Sequence, residues 1–119
     1  MPICQMKTNY KFDSQARTEF MNEIAEEMAR LIEKPLPAIM VMLDDRHMLM
    51  NQSEDTVFFA EFRYLRDFSD ADEKQKWLDE FADRMLELIQ KYTGVDPYRI
   101  YMQFTEMTRE SAWKYTPKK

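Results

Sequence analysis

Pro37-Ala38-Ile39-Met40-Val41-Met42-Leu43 and Pro97-Tyr98-Arg99-Ile100-Tyr101-Met102-Gln103 stand sixty positions apart, each just beyond the end of a helical pattern. Proline cannot donate the hydrogen bond that would continue a helix, and the apolar-rich residues behind it have strand character. The arrangement upstream of each stretch is also the same. Before the first, Ala16, Phe20, Ile24, Met28, Leu31 and Ile32 recur at helical spacing, with Asp13 or Ser14 as the capping oxygen and Pro35 and Pro37 as the stop. Before that helix, Ile3 to Asn9 reads as a strand. Preceding the second stretch, Val57 to Leu65 reads as a strand and Ser69-Asp70-Ala71-Asp72 has the form of a capping box. Trp77, Leu78, Phe81, Met85, Leu86, Ile89 and Tyr92 then mark an amphipathic helix ending at Gly94, the one glycine of the chain.

The sequence therefore predicts a β-α-β unit written twice, over about 1–55 and 56–119, with a polar linker over 44–55. A β-α-β crossover makes its two strands parallel. Two such units side by side give an α/β fold: one domain, a four-stranded mixed sheet and both helices on one face. Ala38 to Leu43, a continuous apolar run, is expected to be covered on both faces. Arg99 to Thr105 supplies the fourth strand, and Ser111 to Tyr115 a short edge strand. In the third strand, Phe58, Ala60, Phe62 and Tyr64 form the row suited to the helices. Val57, Phe59, Glu61, Arg63 and Leu65 face the other way, onto a sheet face that no helix covers. A ring of subunits would bury the apolar ends of that row and turn Glu61 and Arg63 toward a wet central channel. A solvated face with a cross-strand charge pair is the simpler alternative.

Composition narrows the classes. With 119 residues, 45% of them hydrophobic, the chain can build a small core that association would extend. The net charge of −5 argues against a nucleic-acid binder and against anionic membranes. A small anionic substrate remains open, because a local cation outweighs net charge at short range. A single cysteine, Cys4, excludes an intrachain disulfide, and one histidine beside it leaves no metal-ligand spacing. A reducing, cytoplasmic setting is the expectation. No signal-peptide pattern or membrane-length apolar run is written in the sequence, so secretion would need an unadvertised route. The eleven methionines read as adaptable core filler.

Met1-Pro2 opens straight into the first strand. Removal of Met1 would leave a secondary amine held at a strand end, able to move protons near neutral pH without a cofactor. At this point the chain resembles the tautomerase superfamily, most closely its macrophage migration inhibitory factor branch. The residues that carry the resemblance are Met1-Pro2, Glu33-Lys34-Pro35, the stretch from Val95 to Met107, and Trp113. It implies a homotrimer with a central barrel and cofactor-independent keto–enol tautomerisation of small 2-oxo acids such as phenylpyruvate. Some relatives in the branch also act as secreted signalling proteins. Position by position, it implies Pro2 as catalytic base, Lys34 on the substrate carboxylate, and a backbone donor near Tyr64 and Leu65. Tyr101 and Gln103 would come from the neighbouring subunit, with Trp113 as a wall.

There are departures. Gln103 stands where the branch usually has asparagine, Ala38 where it has an entrance aromatic, and Tyr64-Leu65-Arg66-Asp67 replaces a glycine-rich bend. Val57 and Ala60 occupy the positions of the cysteines discussed for some relatives, so no thiol chemistry carries over.

A base for this chemistry needs a pKa near the working pH, and an α-amine begins at about 7.7–8.0. An apolar pocket beside the Lys34 ammonium would lower it. Lys34 has an alternative role as a basic residue at a helix C-terminus, and Tyr101 and Gln103 as ordinary sheet residues. His47 reads as a surface histidine. A second enzymatic reading uses protonated Pro2 as an acid beside a water-activating carboxylate. It needs paired arginines, for which Arg63 and Arg66 are the nearest candidates, and a glutamate where Lys114 stands. A third class is a non-enzymatic, cytokine-like trimer, for which retained Met1 would be the sign.

Overall fold

A computed structural model describes residues 1–117. The order is β1 (Ile3–Thr8), α1 (Ser14–Ile32), β2 (Met40–Asp45), β3 (Phe58–Tyr64), α2 (Ala71–Thr93) and β4 (Ile100–Glu106). The strands form one mixed sheet in the order β2-β1-β3-β4. Each outer pair is parallel, as a β-α-β unit requires, and the two units meet through an antiparallel β1–β3 pair.

Alternation decides which face is covered. Cys4, Met6, Phe58, Ala60 and Phe62 are fully buried, and they meet Phe20, Ile24 and Met28 of α1 and Phe81, Met85 and Ile89 of α2. This is the two-helices-on-one-face arrangement read from the sequence. On the uncovered face Arg63 donates to Glu61 (2.8 Å) and to Gln5 (3.1 Å), while Thr105 donates to the second Glu61 oxygen (2.9 Å). The Arg63 guanidinium, helped by Thr105, holds the Glu61 carboxyl below its ordinary value.

The helices end where the backbone turns left-handed. Gly94 (φ 65°) closes α2, as its position predicts. Glu33 (φ 61°) does the same for α1, a conformation that costs a non-glycine residue roughly 1–2 kcal/mol. The N–H groups of Glu33 and Lys34 both donate to the Ala29 carbonyl, so this turn fixes where the Lys34 backbone leaves the helix.

Four expectations are corrected. The α2 cap is Asp70, which accepts from the Glu73 N–H, while Ser69 bonds the Glu73 carboxylate; the box lies one residue further on than Ser69–Asp72. Leu88, not Leu86, is the buried residue of the last turns of α2. The second strand is not covered on both faces within the chain. It starts at Met40 and forms the sheet edge, with Met40 itself 53% exposed. Ser111–Tyr115 forms no strand: it follows a turn over 109–111 that Ser111 closes on Thr108, and it runs on without regular structure.

The repeat is also out of phase by one with the sixty-residue sequence match. Both β2 and β4 are entered through a single 3₁₀ turn, Leu36–Ala38 and Pro97–Arg99, which are sixty-one positions apart. The core-facing sets keep that offset: Ile39, Val41 and Leu43 answer to Ile100, Met102 and Phe104. A one-residue change of register moves every side chain to the other face of a strand. Tyr101 and Gln103 are therefore turned away from the helices, onto the open face.

Candidate active site

The antiparallel register of β1 and β3 pairs Ile3 with Arg63. Continued by one residue, it brings Pro2 opposite Tyr64, at the foot of the loop Leu65-Arg66-Asp67. Pro2 is buried and its carbonyl accepts from the Met40 N–H at 3.1 Å, which anchors the strand start between its two neighbours. The amine of Met1 is pushed below its ordinary value of 8.0 by partial burial first, then by the ammonium groups of Lys34 and Lys114. Both effects penalise the charged form of an amine. Burial outweighs Lys34 in this effect, and Lys34 outweighs Lys114.

Lys34 also lines an open cleft of about 220 Å³, which neither Met1 nor Pro2 lines. The end of α1 supplies Lys34, the loop after β3 supplies Leu65 and Arg66, and the C-terminal segment supplies Arg109. Trp77 ties these pieces together. Its indole N–H donates to the Leu31 carbonyl at 2.7 Å, fixing the last turn of α1 against α2. Its ring packs on Tyr64 (4.8 Å) and Phe68 (5.2 Å). The Arg66 guanidinium lies 5.6 Å from the Trp77 ring and 5.4 Å from that of Phe68, close enough for cation–π attraction.

The remaining expected site residues divide. Tyr64 turns its side chain into the core, which leaves only its backbone for the donor role expected of it. Tyr101 pairs with Phe59 and Gln103 with Glu61, so both sit along the open face and away from Pro2 of their own chain. Trp113 is 76% exposed and lines only a surface hollow with Lys114 and Tyr115. His47 is exposed, as expected of a surface histidine. Arg63 and Arg66 do not converge: Arg63 belongs to the open sheet face, and Arg66 to the cleft. Arg109 carried no signal in the sequence. It reaches the cleft by pairing with Asp67 at 2.9 Å across forty-two positions.

A family model described as macrophage migration inhibitory factor (MIF) matches residues 1–116. The chain belongs to the macrophage migration inhibitory factor family. No curated protein sequence matches it. Among solved structures it is similar to the MIF-like protein of Entamoeba histolytica, with a TM-score of 0.81 at 17% identity over 97% of this chain and 95% of that one. The MIF homologue of Prochlorococcus marinus gives 0.78 at 17% identity, over 96% and 95%. MIF of Toxoplasma gondii gives 0.77 at 18% identity, over 98% and 97%. At these identities the structures share the fold, and the chemistry of this MIF-family chain must be argued from its own residues.

Proposed function

We propose that this chain is a cofactor-independent keto–enol tautomerase of small, phenylpyruvate-like 2-oxo acids, with Pro2 as general base once Met1 is removed. The observation that carries the reading is the place of the chain start: Pro2 is buried at the head of β1, and the Met1 amine one residue before it is lowered first by burial and then by Lys34, influences that a Pro2 amine would meet once Met1 is gone. A base of lowered pKa is partly free at neutral pH and can take a proton from the enol oxygen or from carbon, then return it to the other. Lys34 holds the substrate carboxylate and offsets charge as the enolate develops. The backbone at Tyr64 and Leu65 contributes a further donor. Tyr101, Gln103 and Trp113 serve from positions completed by assembly, Tyr101 and Gln103 across a subunit boundary.

A homotrimer accounts for what one chain leaves uncovered. Met40 and Tyr101 are exposed on the two edge strands, and unpaired strand edges are ordinarily covered or paired. The hydratase-like reading is disfavoured. Its water-activating carboxylate would stand where Lys114 places a positive charge near the amine instead.

The test is ketonisation of enol phenylpyruvate by protein whose mass confirms loss of Met1. In that assay Lys34→Ala is expected to raise KM. A hydrogen bond to a charged group contributes about 1.5–3 kcal/mol, roughly a 10- to 100-fold effect. The same change removes one like charge beside the amine, so the pH midpoint of turnover moves upward. An unaltered KM and midpoint would return Lys34 to the role of a helix-terminal cation.

A further inference from the structure

We propose that the cleft beside Lys34 is a two-anion site, in which Arg66 and Arg109 receive a second carboxylate, so that the ligand it favours is a small dicarboxylic acid. The proposal rests on the tautomerase reading for the reaction but not for the binding. Three cations, Lys34, Arg66 and Arg109, line one cleft of a chain whose net charge is −5. Only Ile32 and Leu65 among its lining residues are apolar, and Ile32 is itself 2% exposed. No aromatic ring lines it, so within the chain a phenyl group finds almost no apolar wall there. Its volume of about 220 Å³ is below the roughly 300–1,000 Å³ of pockets for drug-sized ligands, which suits a short-chain acid.

Arg66 is prepared for such a group. Its guanidinium lies within cation–π range of Phe68 and Trp77, which limits its movement, and its side chain is only 21% exposed. Of its N–H donors, Nη1 is used on Glu33 at 2.8 Å and Nη2 makes no hydrogen bond among the described residues, while Nε is buried without an acceptor and out of a ligand's reach. A planar fork with unused donors is the arrangement that takes a carboxylate through two parallel hydrogen bonds. The carboxylates now facing the arginines are displaceable. Glu33 and Asp67 have side chains 75% and 89% exposed, and exposed ion pairs contribute little net energy. Lys34 forms no ion pair among the described residues, and it remains available for the first carboxylate.

Calorimetric titration of the full chain with glutarate, butyrate and phenylacetate at low salt separates the possibilities. Glutarate is expected to bind at least about tenfold tighter than butyrate, the gain of one further charge-assisted contact. That ratio should fall toward one in Arg66→Gln. It should fall in part in Arg109→Gln, an exposed position where folding is not at stake. Glutarate binding no tighter than butyrate, a preference that survives both substitutions, or phenylacetate binding tighter than glutarate would each overturn the proposal. An Arg-dependent glutarate preference in protein that ketonises neither enol phenylpyruvate nor the enol of a short 2-oxo dicarboxylic acid would uphold the subsite and remove the tautomerase reading instead.

Discussion

Pro2→Gly is expected to lower ketonisation of enol phenylpyruvate roughly 100-fold or more, the contribution typical of a positioned general base. Glycine keeps a terminal amine but loses the ring that fixes φ, so the nitrogen no longer holds one position at the strand end. Little else should change. The β1 ladder starts at Ile3, and Pro2 enters it only through its carbonyl, which glycine retains. Size-exclusion chromatography should therefore give the same elution volume as the native protein. Turnover within about threefold of native, with Met1 gone from both proteins, would take Pro2 out of the mechanism.

Phe81→Ala should cost about 3–5 kcal/mol of stability, a large share of the 5–15 kcal/mol a domain usually has. Phe81 is fully buried at the junction of α2 with the sheet. Its ring meets Phe62 at 5.0 Å, Trp77 at 5.2 Å and Phe104 at 5.3 Å, with steep interplanar angles throughout. Truncation would leave three aromatic neighbours beside a cavity that the strands cannot close, because Phe62 and Phe104 are pinned by the β3–β4 ladder. Urea unfolding at matched protein concentration measures the loss, since assembly makes apparent stability concentration-dependent. A loss below about 1.5 kcal/mol would mean that the helix layer repacks freely. The expected damage also reaches the cleft, because Trp77 loses the ring behind it and supports both the end of α1 and Arg66.

Much of this architecture could be read from the sequence because two periodicities were clean. Phe20, Ile24, Met28, Leu31 and Ile32 lie where helical spacing puts them, and the row Phe58, Ala60, Phe62, Tyr64 faces the helices as alternation requires. What misled was local. The match of Pro37 with Pro97 aligns residues that differ by one in register, since proline fits either the first or the second position of a 3₁₀ turn. Ala38 to Leu43 read as a covered strand because a continuous apolar run looks the same at a sheet edge as in a sheet's interior. The Ser69–Asp72 box was displaced because Asp70 and Glu73 satisfy the same donor pattern one residue later.

The candidate site divides in the same way. Pro2 and Lys34 were legible through the resemblance, and the fold places the chain start under the influence of Lys34. Arg66 was legible only as a partner of Arg63, and Arg109 carried no signal, since their meeting depends on the loop after β3 and a C-terminal segment folding back to one place. Tyr101 and Gln103 lie on a face that a single chain leaves open, so their role depends on assembly rather than on the chain's own packing.

The most direct test of the central claim is the pH dependence of enol phenylpyruvate ketonisation between pH 5 and 9, corrected for the uncatalysed rate, with mass-verified loss of Met1. A base must be unprotonated to act, so kcat/KM should rise with pH and level off. Burial and Lys34 push the Met1 amine below its ordinary value of 8.0, and the Pro2 amine exposed by loss of Met1 would meet the same influences, so the midpoint should fall below 8.0. A midpoint at or above 8.0, or a catalysed rate flat across the whole range, would contradict a depressed proline base and with it the proposed mechanism.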